Sequence, residues 1–228
     1  MGIRIQRAKP FNLIASIFYR LIKLPLPSRM KFRLFLDLEW IFNRLALEMS
    51  FRRYELSVHP WKRMTREYIL EFVEPTDVIL DLGCASGDIA RAIASKAKYV
   101  VGVDHNPKLI GEAKGFKQQD NLSFVYMDAL EYLETSDRTF NKLILSHILE
   151  HIDNPVDFLK SYTKFFDYIY IEVPDFDGTI LNQFRKDEGL DLIHTDNDHV
   201  TEFDRHELVD IFDHCGLRIV RSELIFDV

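Results

Sequence analysis

Val78-Ile79-Leu80-Asp81-Leu82-Gly83-Cys84-Ala85-Ser86-Gly87-Asp88 is the stretch that decides how this chain is read. Val78, Ile79 and Leu80 form a short apolar run that suits a strand buried on both faces of a parallel sheet. Gly83 and Gly87 bracket a sharp turn in which small residues let a ligand approach the backbone. Asp88-Ile-Ala-Arg-Ala-Ile-Ala then opens a helix whose N-terminal amides point into the same space. Asp81 places a carboxylate at the strand end. A dinucleotide fingerprint would want glycine at 83, 85 and 88, and the chain has Gly83, Ala85 and Asp88, so a pyrophosphate cradle fits poorly. An acid beside the turn points instead to a ligand carrying ammonium or sulfonium charge.

A doubly wound sheet should follow this turn with a helix, a second strand and an acid at that strand's end for ribose hydroxyls. Lys98-Tyr-Val-Val-Gly-Val-Asp104 supplies the strand and the acid. Asp81-x-Gly83-x-x-x-Gly87 after a buried strand resembles motif I of the class I S-adenosylmethionine-dependent methyltransferases. Leu122-Ser-Phe-Val-Tyr-Met-Asp128-Ala129 resembles that family's third strand, with the acid that accepts from the adenine amino group. Phe140-Asn-Lys-Leu-Ile-Leu-Ser146-His147-Ile-Leu-Glu150-His151-Ile-Asp-Asn-Pro155 resembles its fourth strand and the Leu-Glu-His-x-x-x-Pro tail. The matches fall in the right order over residues 60 to 220. Strand-end turn acids account for Asp81, Asp104 or Asp128 singly but not for their joint spacing. The resemblance implies S-adenosyl-L-methionine as cofactor, held by Asp81, Gly83, Cys84, Ala85, Gly87, Asp104, His105, Met127, Asp128, Ala129, Ser146 and His147.

At 228 residues the chain suits one α/β domain plus an appendage. Two cysteines, Cys84 and Cys215, suggest neither a disulfide framework nor a zinc cluster, and a reducing cytoplasm is the natural setting. Of the 29 Lys and Arg, eight lie in residues 1–33 with no acid among them, which leaves 21 bases against 36 acids in the rest, a balance near −15. An extended nucleic-acid surface on that body is not expected.

Residues 1–58 precede anything the core fold requires and are expected as an N-terminal helical extension or lid; residues 59–228 are expected as the cofactor-binding domain, with a substrate loop over 174–204. Phe11-Asn-Leu-Ile-Ala-Ser-Ile-Phe-Tyr-Arg-Leu-Ile-Lys-Leu is interrupted by Arg20 and Lys23 and ended by Pro25 and Pro27, well short of the ~20 residues that cross a membrane. No small-x-small cleavage site follows it, so a secretory signal fits poorly. An amphipathic helix remains, either a lid or a segment lying on an anionic membrane at the inner face of the cell. Ser28 is expected to cap a second helix running to Tyr54, with apolar residues on too many sides for one stripe, which calls for partners from its own domain, a second copy of the chain or lipid. A third helix is expected from Pro60.

From Asp77 to Val173 strand and helix alternate. Asn154-Pro155 starts the helix after strand four. Pro174 to Asp204 is irregular apart from a short helix near Ile180 to Arg185, and loops this long are usually lids or binding segments. Asp204-Arg-His-Glu207 is a capping box for a helix ending at Cys215-Gly216, and Leu217 to Ile225 reads as a sixth strand. The family's sheet has seven strands; here the last is expected to be missing or folded into a hairpin within Arg218–Val228.

The fold expected is therefore α/β, a doubly wound and mostly parallel sheet. The activity expected is methyl transfer to a small molecule, a lipid-linked glycan or a quinone, at oxygen, in which positioning and exclusion of water do most of the work. A hydroxyl acceptor gains from a general base. His151, after strand four, and His199, opening the segment His-Val-Thr-Glu-Phe that resembles an element of sugar and quinone methyltransferases, are the candidate catalytic residues. Glu150, His151 and Asp153, or Asp196, Asp198 and His199, could gather around a divalent ion, but such runs are usually solvated loop faces and no metal is expected. The alternatives are a non-catalytic cofactor-binding scaffold that holds a partner subunit, and a nicotinamide-dependent oxidoreductase.

Overall fold

The computed structural model describes residues 12–55, 58–116, 119–176, 180–196 and 198–225. Arg4, Arg7 and Lys9 of the basic stretch, and residues 226–228 of the expected hairpin, lie outside the described residues. Three helices come first: α1 (Asn12–Ile22), α2 (Ser28–Arg53) and α3 (Pro60–Phe72). Then follow β1 (Val78–Leu82), α4 (Asp88–Ala94), β2 (Tyr99–Asp104), α5 (Pro107–Gly115), β3 (Leu122–Tyr126), α6 (Ala129–Thr135) and β4 (Lys142–Ser146). After a single 3-10 turn at Leu149–His151 come α7 (Pro155–Thr163), β5 (Tyr168–Glu172), α8 (Ile180–Asp187) and α9 (Arg205–His214).

The strands form one sheet in the order β3-β2-β1-β4-β5, every pair parallel. The order reverses between β1 and β4, which opens a crevice at the carboxyl ends of these two strands. Successive side chains leave a strand on opposite faces, and the core divides accordingly. Ile79 and Ile144 pack with Ile69 of α3 and Val73 just after it, Ile93 of α4 and Ile110 of α5. Leu80, Leu143 and Leu145 pack on the other face with Leu133 of α6, Leu159 and Tyr162 of α7, and Leu208 and Ile211 of α9. Ile79, Leu80, Leu143, Ile144 and Leu145 are fully buried, as expected of central strands covered on both sides.

Two turn positions show what the motif requires. Gly87 has φ +80°, and a Cβ there would lie 2.4 Å from the Phe124 ring, so a side chain is excluded twice over. Ala85 also sits in the left-handed region, at φ +47°, a conformation that costs an L-residue roughly 1–2 kcal/mol and glycine almost nothing. Ala85→Gly should therefore stabilise the protein by up to about 1 kcal/mol, the gain being trimmed by the extra freedom of glycine in the unfolded chain. Denaturant unfolding of the two proteins measures it, and a destabilised glycine variant would contradict the account.

Several helix ends form as expected. Asn154 accepts from the Asp157 amide with Pro155 at the first helical position, and Asp204 and Glu207 make the reciprocal capping box. Two expectations need correction. Ser28 does not cap α2: Pro27 occupies the cap position without a side-chain hydrogen bond, and its fixed φ sets the entry so that Ser28 already lies in the first turn. Leu217 to Ile225 forms no strand, and the described sheet ends at β5. Ile219 and Val220 of that segment stay exposed, and Arg221 is held by Glu71 and Glu223 at 2.7 Å each. Alternation alone does not make a strand where no neighbouring backbone takes up its amides and carbonyls.

α2 buries only Leu36 and leaves Met30, Leu34, Ile41, Phe42, Leu45 and Met49 exposed. Its polar side chains reach the segment between β5 and α9. Asp37 pairs with the buried Arg185 at 2.6 Å, Arg29 with Glu188 at 2.7 Å, and Arg44 with Asp196 at 2.8 Å. The Trp40 indole N–H donates to the His194 carbonyl at 3.3 Å. The N-terminal extension thus holds the loop that carries His194 and His199.

Candidate functional site at the loop ends of the strands

β1 and β2 each carry an acid at the carboxyl end, Asp81 and Asp104. Asp81, on β1, is buried. Burial raises its carboxyl to about 7, the neighbouring charge of Asp104 adds to that, and the Ala90 amide in the first turn of α4 offsets only part of it. Its Oδ2 has no hydrogen-bond partner. An orphaned carboxylate oxygen at this depth, beside a turn of small residues, is the acceptor a cationic or hydroxyl-bearing ligand would use.

Asp104 ends β2 and is nearly buried. Its Oδ2 accepts the Ala85 amide at 2.9 Å, and its Oδ1 the Asn106 amide at 2.7 Å. It therefore holds the left-handed turn after β1 in place. The amides of Gly83 and Cys84 close the same turn onto the Val103 carbonyl at 2.8 and 3.2 Å. The Cys84 side chain packs down into the core with Phe124 and Val100, and its thiol is pushed well above the ordinary range by burial and then by Asp81 and Asp104. Cys84 can meet a ligand only through its backbone.

After β3, Asp128 caps α6, its Oδ1 accepting from Leu130 and Glu131 at 2.9 and 3.0 Å, while Ala129 is buried beneath it. The Met127 amide donates to the Asp104 carbonyl at 3.3 Å, which ties the ends of β2 and β3 together. His105 lies almost wholly in solvent, 4.0 Å from Asp104 Oδ1, and encloses nothing as it stands.

The carboxyl ends of β4 and β5 carry a second polar network. Glu172 accepts from Thr65 of α3 at 2.9 Å and from Ser146 at 3.0 Å. His147, with φ +55°, donates its amide to the Glu172 carbonyl at 2.9 Å. Its Nδ1 lies 3.0 Å from Oε1 of the fully buried Glu150, and the Trp61 ring meets it edge-on with centroids 5.6 Å apart. A non-glycine residue held at positive φ and gripped by two glutamates marks a position the surroundings over-determine.

The loop from His194 to Glu202 folds back onto the turn after β4. Val200 and Thr201 donate their amides to the Glu150 carbonyl at 2.9 and 3.2 Å, and the His151 and His199 rings come to 5.0 Å, near perpendicular. His151 Nδ1 lies 3.1 Å from the Asp198 carbonyl. His199 Nδ1 lies 2.7 Å from Glu202 Oε1, which also accepts from the Thr195 hydroxyl at 2.7 Å. Among the described residues, the three side chains with metal-ligating atoms that converge are Glu150, His151 and His199. They take two members, Glu150 and His151, from the first acid and histidine run seen in the sequence and one, His199, from the second. Asp153 is exposed, Asp196 is engaged with Arg44, and Asp198 contributes chiefly its carbonyl.

Sequence reasoning passed over Thr65, Glu172 and Glu202. The signals were modest. Glu172 is an acid closing an apolar strand, and Glu202 stands three residues after His199, as Glu150 stands three after His147.

A family model described as a methyltransferase domain matches residues 50–222. A ubiquinone biosynthesis O-methyltransferase of Coxiella burnetii is 31% identical over 84 residues, 36% of each chain. A protein of Mycoplasma mobile described as an uncharacterised RNA methyltransferase is 35% identical over 80 residues, 34% of this chain and 22% of that one. The chain thus spans between a fifth and about a third of the length of these curated relatives. Among solved structures, magnesium protoporphyrin IX methyltransferase from Synechocystis, with S-adenosylhomocysteine bound, superposes with a TM-score of 0.57 at 15% identity over 82% of this chain and 91% of that one. The YcgJ protein of Bacillus subtilis gives 0.52 at 17% identity over 67% and 68%. At such identities the likeness is one of fold.

Proposed function

The chain belongs to the methyltransferase-domain family, with the class I fold and S-adenosylmethionine as cofactor, and from that premise we propose that it methylates a hydroxyl of a small molecule, a lipid-linked glycan or a quinone. The observation that carries this reading is the arrangement at the switch point. Asp81 offers an orphaned oxygen, Asp104 braces a left-handed turn, and the His151 and His199 rings meet in the loops that follow β4 and β5.

In this reading Asp104 takes the ribose hydroxyls on the lone pairs its two amide bonds leave free. Asp81 accepts from the donor or cation at the ligand's amino-acid end, and the backbone of Gly83, Cys84, Ala85 and Gly87 admits the ligand at close range. Met127, Asp128, Ala129, Ser146 and His147 complete the wall at the ends of β3 and β4, with His105 beside it in solvent after β2. When bound, S-adenosylmethionine supplies a methyl group on an electron-poor sulfonium. The residues of this chain then have to orient the acceptor, strip it of water and take charge of its proton. Trp61 and the loop tied down by α2 exclude water, while His151 and His199 hold the hydroxyl end. Residues 1–58 serve as the lid of the 59–228 domain, and 174–204 as its substrate loop.

The Mycoplasma relative's description as an RNA methyltransferase does not alter the acceptor class, because 21 bases against 36 acids outside residues 1–33 disfavour a phosphate backbone. Binding of S-adenosylhomocysteine by calorimetry is the first test, and tight NADH binding in its place would return the chain to the oxidoreductases. Incubation with isotope-labelled S-adenosylmethionine and an organic extract of cells should then label a hydroxylated compound. Label appearing only on amines would overturn the oxygen target.

No helix of the described residues is long and apolar enough to cross a membrane. Our reading of α1 is that it lies on an anionic surface, with Leu13, Ile17 and Ile22 exposed beside Arg20 and Lys23, while Phe18 packs edge-on against Phe42 of α2 with centroids 5.9 Å apart. A basic residue near such a surface contributes about 1 kcal/mol, so replacing Arg20 and Lys23 together by glutamate should reduce flotation with anionic vesicles about tenfold or more. Unchanged flotation, or none by the parent protein, would leave α1 as a lid alone.

A further inference from the structure

We propose that Glu150, His151 and His199 form a binding site for one divalent first-row transition cation at the acceptor end of the crevice. One potential ligand atom from each of the three lies within 4.8 Å of the others. In their neutral forms the two imidazoles can present the nitrogen a metal needs. The Asp198 carbonyl can only accept, so His151 Nδ1, 3.1 Å away, carries the proton and Nε2 keeps its lone pair. His199 Nδ1 faces Glu202 Oε1 at 2.7 Å, with Glu202 steadied by the Thr195 hydroxyl, so His199 Nε2 is free in the same way. A ligating histidine whose other nitrogen donates to a carbonyl or carboxylate is the recurrent outer support of metal sites.

The third group supplies an independent sign. Glu150 is wholly buried, its Oε1 is taken by His147 at 3.0 Å, and its Oε2 has no partner within the protein. A buried carboxylate oxygen left unmet beside two presented imidazole nitrogens lacks a cation more plainly than it lacks a donor. Two nitrogens and one carboxylate suit Mn²⁺, Fe²⁺, Co²⁺ or Zn²⁺ better than Mg²⁺ or Ca²⁺, which prefer oxygen throughout. Three protein ligands leave positions open, and His151 is the exposed member of the set, so the open side faces the loop crevice. For its role, though not for binding, the inference rests on the methyltransferase reading. There the cation would take the acceptor hydroxyl as a further ligand and lower its pKa, the proton passing to solvent.

The test uses untagged full-length protein, stripped with a chelator and dialysed, and titrated by calorimetry with Mn²⁺, Co²⁺ and Zn²⁺. One equivalent should bind, and bound Co²⁺ should give a visible absorption band. His151→Ala and His199→Ala should each weaken binding by at least about 100-fold and abolish the band, while Glu202→Gln, which removes only the outer support, should weaken it about 10–100-fold. S-adenosylhomocysteine affinity should stay within about threefold of the parent in all three, since none of these residues belongs to the cofactor end. If His199→Ala loses its fold by circular dichroism, His151→Ala, on the exposed side, carries the comparison. A parent that binds S-adenosylhomocysteine but none of the three cations overturns the site and leaves the methyltransferase reading standing. A parent that binds the cation but not S-adenosylhomocysteine does the reverse. Variants that bind the cation as the parent does also overturn the assignment.

Discussion

Asp104→Ala should weaken S-adenosylhomocysteine binding about 100-fold or more. Two losses combine in that figure. Hydrogen bonds from ligand hydroxyls to a carboxylate contribute roughly 1.5–3 kcal/mol, and an alanine forfeits both. The Asp104 carboxylate also accepts the Ala85 and Asn106 amides, so its removal frees a turn that holds Ala85 at positive φ and disorders the wall the ligand rests on. Asp104→Asn separates the two effects. Its carbonyl oxygen can keep one of the amides, but its NH₂ group meets the other amide donor to donor. The asparagine variant should lose only part of the brace, unfold less readily than the alanine variant and still bind poorly. Calorimetry with S-adenosylhomocysteine, beside thermal unfolding of the ligand-free proteins, reads both quantities. Affinity within about threefold of the parent in the alanine variant would remove Asp104 from the site and with it the ribose assignment.

The crevice was legible in the sequence because its parts are local. A buried strand announces itself by composition, an acid at its end by position, and a left-handed turn by glycine at 83 and 87. Each of β1 to β4 could be read with its terminal group attached. The cation cluster was not legible in the same way. Its members come from two loops about fifty residues apart, and what joins them is the pair of backbone hydrogen bonds from Val200 and Thr201 to the Glu150 carbonyl. Neighbours in sequence, Asp153 beside His151 and Asp196 before His199, looked equally suited, and only tertiary placement turns them away. The segment after α9 failed for the opposite reason. Its local pattern was that of a strand, but a strand exists only by pairing, and the free edge of β5 does not take it. For α2, the sequence rightly showed more apolar residues than one contact face could use. It did not show that polar groups, Asp37, Trp40 and Arg44, make the attachments to the segment between β5 and α9.

Asp81→Asn should raise the stability of the ligand-free protein at pH 8 by an amount on the order of a few kcal/mol, and make little difference near pH 4.5. Burial, with the charge of Asp104 beside it, raises the Asp81 carboxyl in the folded protein to about 7, against about 3.9 in an unfolded chain. Between those values the native state holds a proton that the unfolded state has released. Folding stability then falls as pH rises, by up to about 1.4 kcal/mol per pH unit for one proton. The contribution is fully present below about pH 4 and lost by about pH 7. Asparagine carries no charge at any pH and escapes that loss. Paired carboxylates such as Asp77, held below its usual range by Lys142 and Asn141 against the opposing effect of burial, act with the opposite sign at more acid pH, and comparison of the two proteins cancels them. The same carboxylate links binding to pH. A ligand bearing an ammonium beside the orphaned Oδ2 favours the ionised form, so S-adenosylhomocysteine affinity in the parent should climb from pH 5.5 to 7.5, by at most about tenfold per unit. Calorimetry in buffers of different ionisation heat should register a proton released on binding below pH 7. In the asparagine variant the affinity should be lower and nearly level with pH. Equal affinity of the parent at pH 5.5 and 7.5, together with parallel stability curves for the two proteins, would mean that Asp81 is ionised throughout and does not face the ligand's cation.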